Sequence, residues 1–201
     1  MKRGLSLLEL ILALSVTAIV ALAITGMMGA VSTGVEGRRD TRSVLVLANA
    51  AASRLSSYVA PSCCILSVGG SDITLWFNDS RESDTVHATE IRWLTFDSEA
   101  GTLAVNYVEF PSAWSKAACD LADEEYAADA SWAGVRAKYQ GSGWLASRIL
   151  VDDLASVTIL KDQATAQASR FLSFELGFET KTGVVPVTVA AAITQHNSPS
   201  S

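Results

Sequence analysis

From Leu10 to Val35 the chain carries no charged side chain, and Leu, Ile, Val, Ala and Met dominate. The pattern then changes without stopping. Val44, Leu47, Ala51, Leu55 and Tyr58 recur at spacings of three and four, the period of one helix face, while Arg38, Arg39, Arg42, Asn49, Ser53 and Ser57 mostly fall elsewhere. One helix is predicted from Leu5 to about Val59, ended by Pro61, which disfavours helix in the residue before it. At 1.5 Å per residue it would be about 80 Å long, against the ~30 Å apolar core of a bilayer. Residues 5–35 are therefore expected to span a membrane, and 36–60 to pack an amphipathic face on a folded domain. Gly26, Gly29 and Gly34 each cost about 1 kcal/mol relative to Ala. They either let the helix bend or permit close packing.

After Pro61 the period becomes two. Ile73–Phe77 reads as a strand behind the turn at Gly69-Gly70-Ser71-Asp72. Glu90–Phe96 and Thr102–Val108 read as a hairpin around Asp97-Ser98-Glu99-Ala100-Gly101. A helical or irregular insert is expected over about 112–140. Three more strands follow at Val157–Lys161, Phe171–Thr180 and Val184–Thr194, the last two joined by Lys181-Thr182-Gly183. The class is α+β: a long N-terminal helix on an antiparallel meander with one polar face, in a domain over 61–196, closed by a short polar tail at 197–201.

Composition narrows the function. With 15 basic and 21 acidic side chains the chain is acidic, which argues against nucleic acid as a partner. No G-x-S-x-G, Walker loop, G-x-G-x-x-G or H-E-x-x-H occurs, and His87 and His196 lie far apart, so no catalytic residues are assigned and no enzyme is expected. Asp120, Asp123 and Glu124 read as a solvated helix face, and no glycine-bearing calcium loop accompanies them, so neither a metal nor another cofactor is expected. Trp114, Trp132 and Trp144 read as core or loop anchors, with an exposed recognition patch as the alternative. Of three cysteines, Cys63 or Cys64 with Cys119 would close a loop of about 56 residues, worth up to ~4 kcal/mol on the chain-entropy model. A strained vicinal Cys63–Cys64 bridge and three buried, unbridged thiols are the alternatives.

The head of the chain holds the sharpest signal, Lys2-Arg3-Gly4-Leu5-Ser6-Leu7-Leu8-Glu9-Leu10. A carboxylate within a membrane-length apolar run costs about 2.5–3.5 kcal/mol at its centre and less near its end, so Glu9 asks for a function. Gly4 to Leu10 resembles the processing site of type IV prepilins and type II secretion pseudopilins. That resemblance implies a leader of residues 1–4, cleavage between Gly4 and Leu5 by a prepilin peptidase, and N-methylation of Leu5. It makes Glu9 the residue that pairs with a neighbour's amine and sets register in a filament. Independently, a new amine on Leu5 would stand four residues from Glu9, on one helix face and beside the positive helix end. Removing Lys2 and Arg3 would take the formal charge from −6 to −8.

The family architecture, a long helix plus antiparallel sheet, agrees with the pattern read above. Leu150-Val151-Asp152-Asp153-Leu154 further resembles the closing region of J-type minor pseudopilins and W-type minor pilins. The resemblance implies a minor structural subunit of a trans-envelope filament, first of all a type II secretion pseudopilus, acting in filament initiation and protein export. Its partners would be other pilins through the N-terminal helix, the peptidase, an inner-membrane assembly platform, and membrane lipid before assembly. It also implies a single pass of the inner membrane, N-terminus cytoplasmic and sheet domain periplasmic. A minor type IV pilin for adhesion, twitching or DNA uptake is the alternative within the family. Outside it stand a signal-anchored periplasmic binding or hydrolytic domain, and a secretory signal cut after Ala21-Leu22-Ala23 to leave Ile24 first.

Overall fold

The helical and alternating patterns meet at Pro61, and the chain changes structure there. The computed structural model describes residues 7–81, 85–181, 183–194, 196, 197 and 199, apart from the side chains of 7–13, 19 and 29–41. Helix α1 covers Leu7–Val59, 53 residues. The chain divides into two compact units, 1–43 and 44–201.

The second unit begins with the last four turns of α1. Strands β1 (Cys64–Val68) and β2 (Asp72–Trp76) follow, then β3 (Val86–His87), a 3-10 turn at Ala88–Glu90, β4 (Ile91–Asp97) and β5 (Thr102–Val108). The insert contributes α2 (Lys116–Ala122), β6 (Glu125–Tyr126) and α3 (Trp132–Gly141), and the chain closes with β7 (Leu145–Val151), β8 (Leu154–Lys161), β9 (Phe171–Thr180) and β10 (Gly183–Ala192). The unit is α+β, and every strand pair is antiparallel.

The strands form a five-stranded sheet, β1-β2-β4-β5-β7, a three-stranded sheet, β10-β9-β8, and the small pair β3-β6. The single meander expected from the alternation is thus two main sheets. The chain leaves one for the other at Asp152-Asp153, where Asp153 takes a positive φ of 56° and its carbonyl accepts from Glu179 N at 2.9 Å. Short polar side chains tolerate that left-handed conformation better than branched ones.

One core lies between the two sheets and α1. Val44, Ala48, Ala51, Leu55 and Val59 bury one face of the helix against Leu75, Leu94 and Val105 of one sheet and Phe174, Leu176 and Phe178 of the other. A second core lies on the opposite face of the five-stranded sheet, where α3 brings Trp132, Val135 and Tyr139 onto Trp76, Ile91 and Trp93. This corrects the expectation of one polar sheet face: the insert covers much of it. Part of it remains open, including a cleft of about 650 Å³ lined by Thr95, Thr102, Asn106 and Ser147.

The β4–β5 hairpin forms as its sequence predicts. Asp97 Oδ1 accepts from Glu99 N and Ala100 N at 2.9 and 3.0 Å. Gly101 closes the turn at φ +64°, where a Cβ would stand 3.0 Å from Leu154 O.

The expected membrane pass is corrected. Among the described residues no helix is long and apolar enough to cross a membrane. Ser15, Thr17 and Thr25 interrupt the apolar sequence of α1.

Candidate functional site

Gly4 and Leu5, the expected cleavage and methylation positions, lie outside the described residues. Glu9 falls within α1, but its side chain also lies outside them. In the first unit the described apolar residues are open. Leu14, Val20, Leu22, Ile24, Met27 and Met28 are between 49% and 74% exposed. They are spread around the helix, with Ser15, Thr17 and Thr25 among them.

The bridge expected from Cys63 or Cys64 to Cys119 is corrected: all three are free thiols. Cys64 is buried on β1 and directs its thiol to Ile65 O at 3.5 Å and Gln167 O at 3.8 Å, whereas Cys119 lines a surface cleft with Lys116 and Asp120. Burial pushes the Cys64 thiol up to about 11, with the adjacent Cys63 adding to the shift. A thiol so raised is protonated and inert at neutral pH.

The carboxylates that matter most are not the expected ones. Glu90 ends the 3-10 turn before β4 with 1% exposure. Its Oε2 accepts from Trp76 Nε1 and His87 N, both at 3.1 Å. Its Oε1 accepts from Ser80 N at 2.6 Å, Ser80 Oγ at 2.8 Å and Arg81 N at 3.2 Å. Five donors converge on one buried carboxylate and tie Ser80, Arg81 and His87 to it beside the sheet.

Asp123 corrects the reading of a solvated acidic face. It caps the end of α2 and is buried, accepting from Thr89 N at 2.9 Å and Thr89 Oγ1 at 2.7 Å, with Arg81 Nη2 at 3.0 Å. Arg81 also reaches Asp120 at 2.8 Å, and Lys116, at 2.9 Å, holds the Asp120 carboxyl below its usual range. Of the three acids read as that face, Asp120 and Glu124 lie at the surface, and Glu124 pairs with Lys138. His87 is buried, its Nδ1 facing Asp123 O at 3.2 Å. Every oxygen of Glu90 and Asp123 is engaged by a donor, and the described residues hold no group of three metal-ligating side chains.

The sequence offered little sign of this network. Glu90 stands at the edge of an alternating strand, where a charged residue ordinarily points to water, and Arg81 lies in a turn-rich stretch. Trp132 is buried, Trp144 half-buried, and Trp114 36% exposed. Trp114 stacks on Phe110 at 5.8 Å and meets Trp144 edge-on at 5.0 Å, so the trio anchors the insert.

On the helix side of the five-stranded sheet, Arg92 lies over the rings of Phe77 and Tyr107, at 4.8 and 5.3 Å. Burial lowers its pKa from the ordinary arginine value. Nothing in these arrangements joins a nucleophile to a base.

No family model matches the chain, and neither curated proteins nor solved structures match it.

Proposed function

We propose that the chain is a minor pilin-like structural subunit of a filament, of the kind that forms type II secretion pseudopili. The observation that carries the reading is the division of labour along α1. From Val44 onward the helix buries one face in the core of an antiparallel-sheet unit. Ahead of it, Leu14 to Met28 leave apolar side chains uncovered, and the ordered Gly4-to-Leu10 motif precedes them. In this reading the uncovered side chains pack beside the equivalent helices of other pilin-like subunits. Glu9 neutralises a neighbour's terminal amine inside that apolar bundle, where an unpaired charge would be costly. A prepilin-type peptidase cuts after Gly4 and exposes Leu5, which is then methylated. The sheet unit faces outward and meets other subunits. The pilin-like character of the fold, helix on antiparallel sheet, belongs to this same proposal.

The test is the N-terminal sequence and intact mass of the protein from its native host. A chain beginning at Leu5, with or without one added methyl, upholds the filament reading. A chain beginning at Ile24 or retaining Met1 overturns it.

A further inference from the structure

The three-stranded sheet ends at β10, with β9 on one side of it and no strand on the other. Which backbone groups of β10 face that open side follows from the register. Ile193, just past the strand, donates its N–H to Arg170 O at 2.9 Å, in line with the pair Ala192 and Phe171. Bonded and non-bonded positions alternate along an antiparallel pair. Val185, Val187, Val189 and Ala191 therefore bond to β9, while Val184, Pro186, Thr188, Ala190 and Ala192 turn their backbone groups outward. Two further bonds agree with this parity. Thr194, next in the outward series, donates to Ala60 O at 3.1 Å; Glu179, opposite Val184, donates toward β8, to Asp153 O at 2.9 Å. Pro186 suits an outward position, where its missing N–H removes no bond to β9.

The other sheet edges are tied to neighbouring segments. Cys63 O beside β1 accepts from Asn197 N, Leu150 O of β7 accepts from Arg54, and Ile159 N of β8 donates to Gly70 O. Among the described residues no such bond reaches β10 between Val184 and Ala192. Nor does β10 carry the charges that keep natural edges apart. Gly183 to Ala192 contains no Lys, Arg, Asp or Glu, and Pro186 guards only the first half.

We propose that residues 188–192 of β10 pair with the same residues of a second copy of this chain, antiparallel about a two-fold axis at Ala190. The row of backbone dipoles selects that partner because it is complementary to itself. Read in opposite directions, Ala190 meets the partner's Ala190 and Thr188 meets the partner's Ala192, so every outward N–H finds a C=O. Thr and Ala side chains are small enough to stand opposite each other at that spacing. Sliding the register toward Val184 brings Pro186 into the seam without a donor. Sliding it the other way reaches Thr194, whose N–H is held by Ala60. One short seam stands at the small end of specific interfaces, so the dimer is weak and depends on concentration. The edge lies wholly in the second unit, and the proposal does not rest on the filament reading.

The experiment is sedimentation equilibrium of the full chain in dodecyl maltoside micelles, which cover the apolar residues of α1. Over about 5 to 500 μM the wild type is expected to pass from monomer to dimer. Ala190→Lys and Ala190→Glu each set like charges across the axis, and each alone is expected to dimerise at least about tenfold more weakly. An equimolar mixture of the two variants sets opposite charges across the axis and is expected to dimerise as the wild type does. Position 190 is exposed and its backbone faces away from β9, and rescue by mixing separates a blocked seam from a folding defect. A wild type that stays monomeric, equal dimerisation of the wild type and Ala190→Lys, or a mixture that stays monomeric where the wild type dimerises would each overturn the proposal.

Discussion

Trp76 and Glu90 are joined inside the domain by a hydrogen bond of 3.1 Å from the indole Nε1 to the carboxylate Oε2, with each residue only 1% exposed. The bond spans two elements, since Trp76 ends β2 and Glu90 precedes β4. Four further hydrogen bonds from Ser80, Arg81 and His87 complete the site. Replacing Glu90 by Ala strands all these donors, and a loss of about 3–5 kcal/mol is expected. Glu90→Gln, which keeps the shape but turns one acceptor into a donor, should lose less. Urea unfolding of both variants checks the order, and an Ala variant within about 0.5 kcal/mol of the wild type would refute it.

Leu55 is fully buried where α1 meets both sheets. Leu55→Ala is expected to cost about 2–5 kcal/mol, transfer and cavity terms together. Ser53, two residues away and exposed, should accept Ala within about 0.5 kcal/mol. Equal effects at the two positions would mean that the helix does not seat in the core as described.

Cys64 makes a prediction about pH. Its folded-state pKa is about 11 against an ordinary 9.0, so between these values the folded chain keeps a proton that the unfolded chain has lost. More protons on the native state means stability that falls as pH rises. The contribution is present below pH 9 and lost through about pH 11. Its size is on the order of 1 kcal/mol. Tyrosines titrate in the same range, so the quantity to measure is the difference between wild type and Cys64→Ala, which should narrow across that window. In the native state at neutral pH, iodoacetamide should label Cys64 only on the timescale of unfolding.

If the filament reading holds, Glu9→Leu should leave processing at Gly4-Leu5 intact and abolish co-purification with other pilin-like subunits. Normal co-assembly of that variant would remove the role assigned to Glu9 while leaving the cleavage test untouched.

What could be read from the residues alone follows the range of the interaction that forms each feature. The end of α1 at Val59 was legible because Pro61 acts on its immediate neighbour. The β4–β5 hairpin was legible because Asp97 and Gly101 build its turn locally. Strand β9 lies where its alternation placed it, Phe171–Thr180. Strand β7 went unread: Leu145–Val151 carries Ser147 and Arg148 without a clean alternation, and its place as an edge strand is set by pairing with β5 across 37 or more residues of chain.

The sequence by itself therefore determined the end of α1, the β4–β5 hairpin and strand β9, the antiparallel α+β class, and the burial of Val44, Ala51 and Leu55 on α1. Only the tertiary structure decided that the strands divide into two sheets, that the insert covers much of one sheet face, that Glu90 and Asp123 are buried hubs, and that the three cysteines are unbridged. The reason is physical. Periodicity and turn chemistry act over a few neighbouring residues, whereas the surroundings of a carboxylate or a thiol depend on which distant segments pack against it. Arg54 and Arg148 stand 94 positions apart, and only the seating of α1 against β7 brings them to one cleft.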